Sequence, residues 1–326
     1  MIISQTPYRI SLAGGGTDLP AFYREEFGAV LSITLSRHMY VTVHDRFERS
    51  IRVAYSRTET VKEVKDLKHE LVREAMRVTG VQGPLEITTI GDVPGGTGMG
   101  SSSALAVGLL NALHTYQNQI VSRDQLAEES CHIEIERLGN PIGKQDQYAA
   151  AFGGMNYICF NPDETVNVDP VQCSVETLRE LEERTLLFYT ENQRSANDIL
   201  AQQSAKIDQQ RDHLRRMRDL AGEMRLALSD PGDLDVVEEI LHAGWALKRS
   251  LGFGISNPQI DTWYDTARRA GASAGKLLGA GGGGFLLLMA PPERHDAIRE
   301  ALGHPRELPT GIDRMGSRIV FVSDSR

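Results

Sequence analysis

Apolar positions along the first half of the chain recur with two different periods. Runs rich in β-branched and aromatic residues cover residues 2–13, 29–45, 50–55 and 85–90, and these predict strands. The spacing then changes to helical. A run from Ser101 to Leu113 is apolar on nearly every face, which predicts a central buried helix with the cluster Ser101-Ser102-Ser103 at its N-cap. A second helix is predicted over 122–138, opened by Ser122 with Gln125 as capping-box partner. The stretch 153–160 returns to strand. In the second half, helices are predicted over 195–228, 233–251, 258–270 and 293–302, with strands at 285–290 and 318–322. Asn161 to Thr185 has few large apolar residues and no sustained period. The domain boundary is placed there, giving units 1–180 and 181–326.

Composition narrows the function. A formal net charge of −9 and a pI near 5.5 disfavour nucleic-acid and anionic-membrane partners, because both reward a positive surface. An anionic small molecule needs only a few local donors and stays open. The three cysteines, Cys131, Cys159 and Cys173, form no C-x-x-C pair and read as reduced packing residues. No basic-then-apolar leader opens the chain, and the run Phe285–Ala290 is about a third of a membrane span. The expectation is a cytoplasmic protein, with monomer and homodimer both open.

Glycine is unevenly spread. Three clusters stand out: Gly14-Gly15-Gly16, Gly95 to Gly100, and Gly281 to Gly284. The middle one matters most because Pro94-Gly95-Gly96-Thr97-Gly98-Met99-Gly100-Ser101-Ser102-Ser103 runs straight into the buried helix. Glycines let backbone amides approach an anion, and a helix start adds orphan N–H donors and a positive dipole end. This is a phosphate cradle. A dinucleotide fingerprint fails because Ser101 stands where the third glycine belongs, and a Walker loop fails because Gly143-Lys144 is followed by Gln145 and Gly275-Lys276 by Leu277.

The helix 122–138 offers carboxylates beside this cradle. On a 100° wheel Ala127, Cys131, Ile135 and Leu138 form an apolar stripe and Glu134 lies on it, whereas Glu129 and Glu136 point away beside His132. A carboxylate on a buried face needs an ion-pair partner or a metal. Both remain open for Glu134 on these grounds.

The Pro94–Ala104 string resembles the phosphate loop of the GHMP kinases (galactokinase, homoserine kinase, mevalonate kinase and phosphomevalonate kinase). Pro7–Asp18 resembles their N-terminal motif and Lys276–Phe285 their C-terminal glycine motif, in the same order along the chain. The resemblance implies an α+β fold of two domains: an N-terminal ribosomal-protein-S5-like domain and a C-terminal ferredoxin-like domain. It further implies ATP and Mg²⁺ as cofactors, Pro94 to Ser103 around the nucleotide phosphates, and Ser102 with Glu134 on the metal. Asp146 aligns with the family's catalytic aspartate and Arg9 with the basic residue that holds it ionised. Without the resemblance, Asp146 would read as a helix cap.

For the acceptor, Gly14–Asp18, Gly143–Tyr148 and Arg194-Ser195-Ala196 resemble patterns of the heptose 7-phosphate kinases, with fucokinase-like enzymes next. That implies a small-molecule sugar phosphate as partner, held by Gly15, Gly16, Thr17, Asp18, Asp146, Gly282 and Gly283. Arg194 is the first candidate for the substrate's own phosphate, because arginine grips phosphate bidentately. Lys248 and Lys276 come second, and Lys144 is either a phosphate contact or a solvated side chain. Other sugar 1-kinases and a non-catalytic ATP- and sugar-binding sensor are the competing readings.

Overall fold

The structure, a computed structural model, describes residues 1–191, 199–201, 204, 207–229, 231–252, 254–309 and 311–323. The strand Gly28–Asp45 (β2) organises the N-terminal half. One edge pairs with Ile2–Ala13 (β1), antiparallel, over residues 31–34 and 38–43. The other edge changes partner: residues 39–45 face Leu85–Gly91 (β5), and residues 28–33 face Met155–Phe160 (β6). The change falls where β1 and β2 lose register, between Pro7 and Arg9, and the chain around Gly311 and Ile312 bonds the freed stretch of β2. Such an irregularity re-aims side chains, and Arg9 is the first residue beyond it.

Ile51–Ala54 (β3), Thr58–Val61 (β4) and Val166–Pro170 (β7) extend the sheet to eight strands together with Arg318–Val322 (β11), which pairs with β1. The last strand of the chain therefore belongs to the first sheet. A second sheet holds Thr185–Tyr189 (β8), Phe285–Met289 (β10) and Ala274–Leu277 (β9), all antiparallel and almost wholly apolar.

Two hydrophobic cores follow. The first lies between the large sheet and the helices Glu70–Thr79 (α2), Ser101–Tyr116 (α3), Arg123–Cys131 (α4) and Gln145–Phe152 (α5). Of the residues of α3, Ala104, Val107, Leu109, Leu110 and Leu113 are wholly buried, which is why its apolar character runs all round. The second core lies on the small sheet. The long helix Ile207–Leu228 (α7) spans both: Leu214 and Met217 join the small-sheet core, while Leu220, Met224 and Leu228 join the large one. Leu234–Ser250 (α8) divides in the same way, with Leu241 in the first core and Trp245 in the second.

Two expectations need correction, and several elements were not anticipated. The stretch 161–185 holds β7 and the helix Val175–Arg184 (α6), neither of which was predicted. Its weak period reflects an exposed edge strand ending at Pro170 and a helix with only Thr177 and Leu181 buried. The helix α2 was also not anticipated, although Leu71, Val72, Ala75 and Met76 bury at helical spacing. The serines do not cap α3. Gly100 does, in the left-handed region, and the serines enter the first turn. Finally, 122–138 is not one α-helix, because His132–Arg137 widens into a π-helical turn closed by a bond from Leu138 to Ile133. The extra residue shifts the buried face, so Ile133 and Glu134 are wholly buried where Ile135 was expected.

Candidate active site

A cleft of about 270 Å³ opens between the two cores. Arg9, Asp18, Gly98, Ser101, Ser102, Glu134, Asp146, Lys248, Lys276 and Gly279 all line it, although they come from segments up to 270 residues apart (Arg9 to Gly279). Its floor is the first turn of α3. No side chain caps that turn, so its leading amides remain available to an anion.

The phosphate loop is held by backbone contact with the C-terminal glycine loop. A Cβ on Gly98 would lie 2.5 Å from the Leu278 carbonyl oxygen, and one on Gly279 would lie 2.4 Å from the Gly98 Cα. Both glycines also have positive φ. Any side chain at either position would wedge the two loops apart.

Asp146 stands in the first turn of α5, opposite this loop. Arg9 holds it with two parallel bonds, Nε to Oδ1 at 2.7 Å and Nη2 to Oδ2 at 2.5 Å, and sends Nη1 to the Gly98 carbonyl at 2.6 Å. Such a fork holds the carboxylate in one orientation. Arg9 is almost fully buried, whereas a fifth of the Asp146 side chain reaches the cleft.

Glu134 lies behind the first turn of α3 and is wholly buried. It accepts from Ser102 at 2.6 Å, Ser103 at 2.7 Å and Gln147 at 2.7 Å. All three donors are neutral, and among the described residues no cationic side chain pairs with it. Burial, and more weakly the charge of Asp146, raises its pKa, and these three bonds only partly offset the shift. A carboxylate in this state is short of a cation. A hard divalent ion bound to Glu134 and the Ser102 hydroxyl, with water completing its shell, fits that deficit and the oxygen-only donor set.

Asp18 is the second nearly buried acid. Its carboxylate accepts from the Gly16 amide at 3.0 Å and the Gln145 amide at 3.4 Å. Burial raises its pKa, with Asp146 adding to the effect. Gly143 is obligatory beside it, since a Cβ there would sit 2.0 Å from Oδ2.

The structure thus brings together Arg9, Gly15, Gly16, Asp18, Gly96, Gly98, Gly100, Ser101, Ser102, Ser103, Glu134, Asp146 and Gly283 around the cleft. Lys248 and Lys276, the second candidates for the substrate's phosphate, also line it, and the other candidates lie elsewhere. Thr17 is buried with its hydroxyl donating to Gly14 and Ala29, so it braces the first glycine loop. Thr97 and Met99 are buried in support of the phosphate loop: the Thr97 hydroxyl donates to Pro94, and the Met99 carbonyl accepts from the Arg9 amide. Pro94 and Gly95 lie on the exposed outer part of that loop. Gly282 bonds back to Ile255. Lys144 is spent on Glu164 at 2.5 Å, over the ring of Tyr23. Glu129 does not point away, because it accepts from His114 at 2.6 Å. Arg194, with Ser195 and Ala196, lies outside the described residues.

Sequence reasoning missed Gln147. Its neighbour Asp146 turns to Arg9 while Gln147 turns to Glu134, so one short helix serves both acids. The readable signal was two polar residues side by side ahead of the buried run Ala149-Ala150-Ala151.

Known proteins resemble this chain over most of its length. Residues 61–154 match the GHMP kinases N terminal domain and residues 220–305 the GHMP kinases C terminal domain. A D-glycero-alpha-D-manno-heptose 7-phosphate kinase from Campylobacter jejuni is 31% identical over 92% of this chain and 93% of its own. A galactokinase from Pyrococcus furiosus is 26% identical over 92% of both chains. The crystal structure of a D-glycero-D-manno-heptose 1-phosphate kinase from Bacteroides thetaiotaomicron superimposes with a TM-score of 0.82 at 26% identity, covering 99% of this chain and 100% of that one.

Proposed function

The chain belongs to the GHMP kinase family and is an ATP-dependent sugar kinase, and from that premise we propose that it phosphorylates the anomeric hydroxyl of D-glycero-D-manno-heptose 7-phosphate. The product would be the 1,7-bisphosphate, an intermediate for nucleotide-activated heptose. The observation that carries this reading is the Arg9–Asp146 fork facing the α3 start, with Asp18 lining the same cleft as an acceptor for sugar hydroxyls.

In this reading the first turn of α3 and the loop before it hold the nucleotide phosphates. Mg²⁺, held by Ser102 and Glu134, would neutralise charge on those phosphates. Asp146 accepts the proton of the attacking hydroxyl. The new bond joins the sugar oxygen to the γ-phosphorus, the bond from that phosphorus to its bridging oxygen breaks, and ADP leaves. Arg9 holds Asp146 in one orientation between turnovers. The heptose assignment is supported by the C. jejuni relative and by the first glycine loop, which ends in Asp18.

The test is ADP release across a panel of sugars, with the product read by phosphorus NMR. Heptose 7-phosphate should outrun unphosphorylated heptose, fucose and galactose, with the new phosphate on the anomeric carbon. Equal or faster turnover of fucose or galactose would replace the heptose assignment by another sugar 1-kinase. ATP binding without ADP release from any sugar would indicate the sensor.

A further inference from the structure

Lys248 ends α8, only 8% exposed, with its ammonium in the cleft. It donates to the carbonyl of Gly279. Four charged groups compete around this point. Arg9 comes from β1 and is already committed to Asp146 and Gly98. Lys276 comes from β9 and donates to the carbonyls of Ser11 at 2.7 Å and Leu12 at 3.3 Å. Asp18, from the loop after β1, is the only anion among the described residues with a resolved influence on Lys248. Burial, then repulsion by Arg9, lowers the Lys248 pKa to about 8, against the pull of Asp18. A buried ammonium with one carbonyl partner and two cationic neighbours is costly unless an anion arrives.

Its position says which anion. Gly279 packs on Gly98, and Arg9 donates to that same Gly98. Lys248 and Arg9 therefore hold the two sides of one loop contact, Lys248 through Gly279 and Arg9 through Gly98, and both line the cleft with Asp146. We propose that Lys248 is a second cation of the transfer step, binding the phosphoryl group as it passes from nucleotide to sugar. This rests on the kinase chemistry of the chain and not on which sugar it accepts, so the test uses whichever acceptor turns over fastest.

Lys248→Met should lower kcat by about 100-fold, the scale of losing one preorganised donor at a developing charge, while KM for the acceptor stays within about threefold and the melting temperature holds. Lys248→Arg keeps the charge at a higher pKa. Wild-type kcat/KM should fall as pH rises through about 8, where the free enzyme's Lys248 loses its proton, and this fall should move to higher pH in Lys248→Arg. Two results would overturn the proposal. One is a KM increase confined to phosphorylated sugars with kcat intact for unphosphorylated ones, which assigns Lys248 to the substrate's own phosphate. The other is an alkaline limb unchanged in Lys248→Arg, which leaves Lys248 a brace for Gly279. Should Lys248→Met not fold, the limb of Lys248→Arg decides.

Discussion

Two buried glutamates on neighbouring elements are in opposite electrostatic states. Glu74 of α2 is 5% exposed and faces three arginines: Arg137 at 2.5 Å, Arg77 at 2.6 Å and Arg73 at 3.2 Å. Burial alone would raise its pKa, but these partners more than reverse the effect and leave it lowered. Glu134 has neutral donors only, and its pKa is raised. The π-helical turn His132–Arg137 supplies Glu134 to the cleft and Arg137 to Glu74, so one local distortion serves both acids. The fold had cations within reach and delivered them to the scaffold. Where charge compensation is withheld from a buried acid, a ligand is expected to supply it.

The largest expected effect lies at Asp146, the cleft carboxylate forked to Arg9. Asp146→Asn should cut kcat by about 100-fold or more, the scale of general-base contributions, with ATP affinity by calorimetry retained. Near wild-type rates would mean that the proton leaves by another route. Next comes Glu134→Gln. Turnover should drop by about 100-fold at fixed Mg²⁺, yet the metal-free protein should melt no earlier than wild type. Gln147 can turn its amide so that its buried, unpartnered Oε1 accepts from the new side chain. A large loss of melting temperature would show that Glu134 is a structural acid like Glu74.

Glu74→Gln should give the mirror image: turnover within about twofold, but stability by urea unfolding lower by about 3 kcal/mol, because three arginines lose their buried partner. The smallest and sharpest contrast is in pH. The folded-state pKa of Glu134 is raised, so its ionisation costs stability above that value, and the cost fades as pH falls through the window toward the ordinary carboxylate range. The folded-state pKa of Glu74 is lowered, so its stabilisation is present above the ordinary range and is lost as pH falls through the lowered value. Thermal scans without metal should therefore show an advantage for Glu134→Gln and a deficit for Glu74→Gln at neutral pH, both shrinking in acid. Gaps of the same sign would refute the contrast.

Much of this site is legible in the sequence. The cradle could be read from Gly95–Ser103 feeding an apolar helix, because glycine content and helix starts are local properties. Glu134 could be read as buried from its phase on the wheel, although the π-helical turn moved the face and exchanged Ile135 for Ile133. The serines were misread as caps because cap statistics describe ordinary helix starts. Here Gly100 takes the cap, which frees Ser102 and Ser103 for Glu134.

What the chain determined by itself was a set of local objects: three glycine loops, a buried helix, an acid on an apolar stripe, and an aspartate given its role by family resemblance. The tertiary structure decided which of them meet. It set Gly98 against Gly279, locked Arg9 onto Asp146, gave Glu74 its arginines and left Glu134 without one, and brought Lys248 and Lys276 into the cleft that Asp18, Glu134 and Asp146 line. The reason is physical. Periodicity and backbone freedom depend on neighbours along the chain, whereas the charge state of a buried group depends on every charge and dipole that packing places around it.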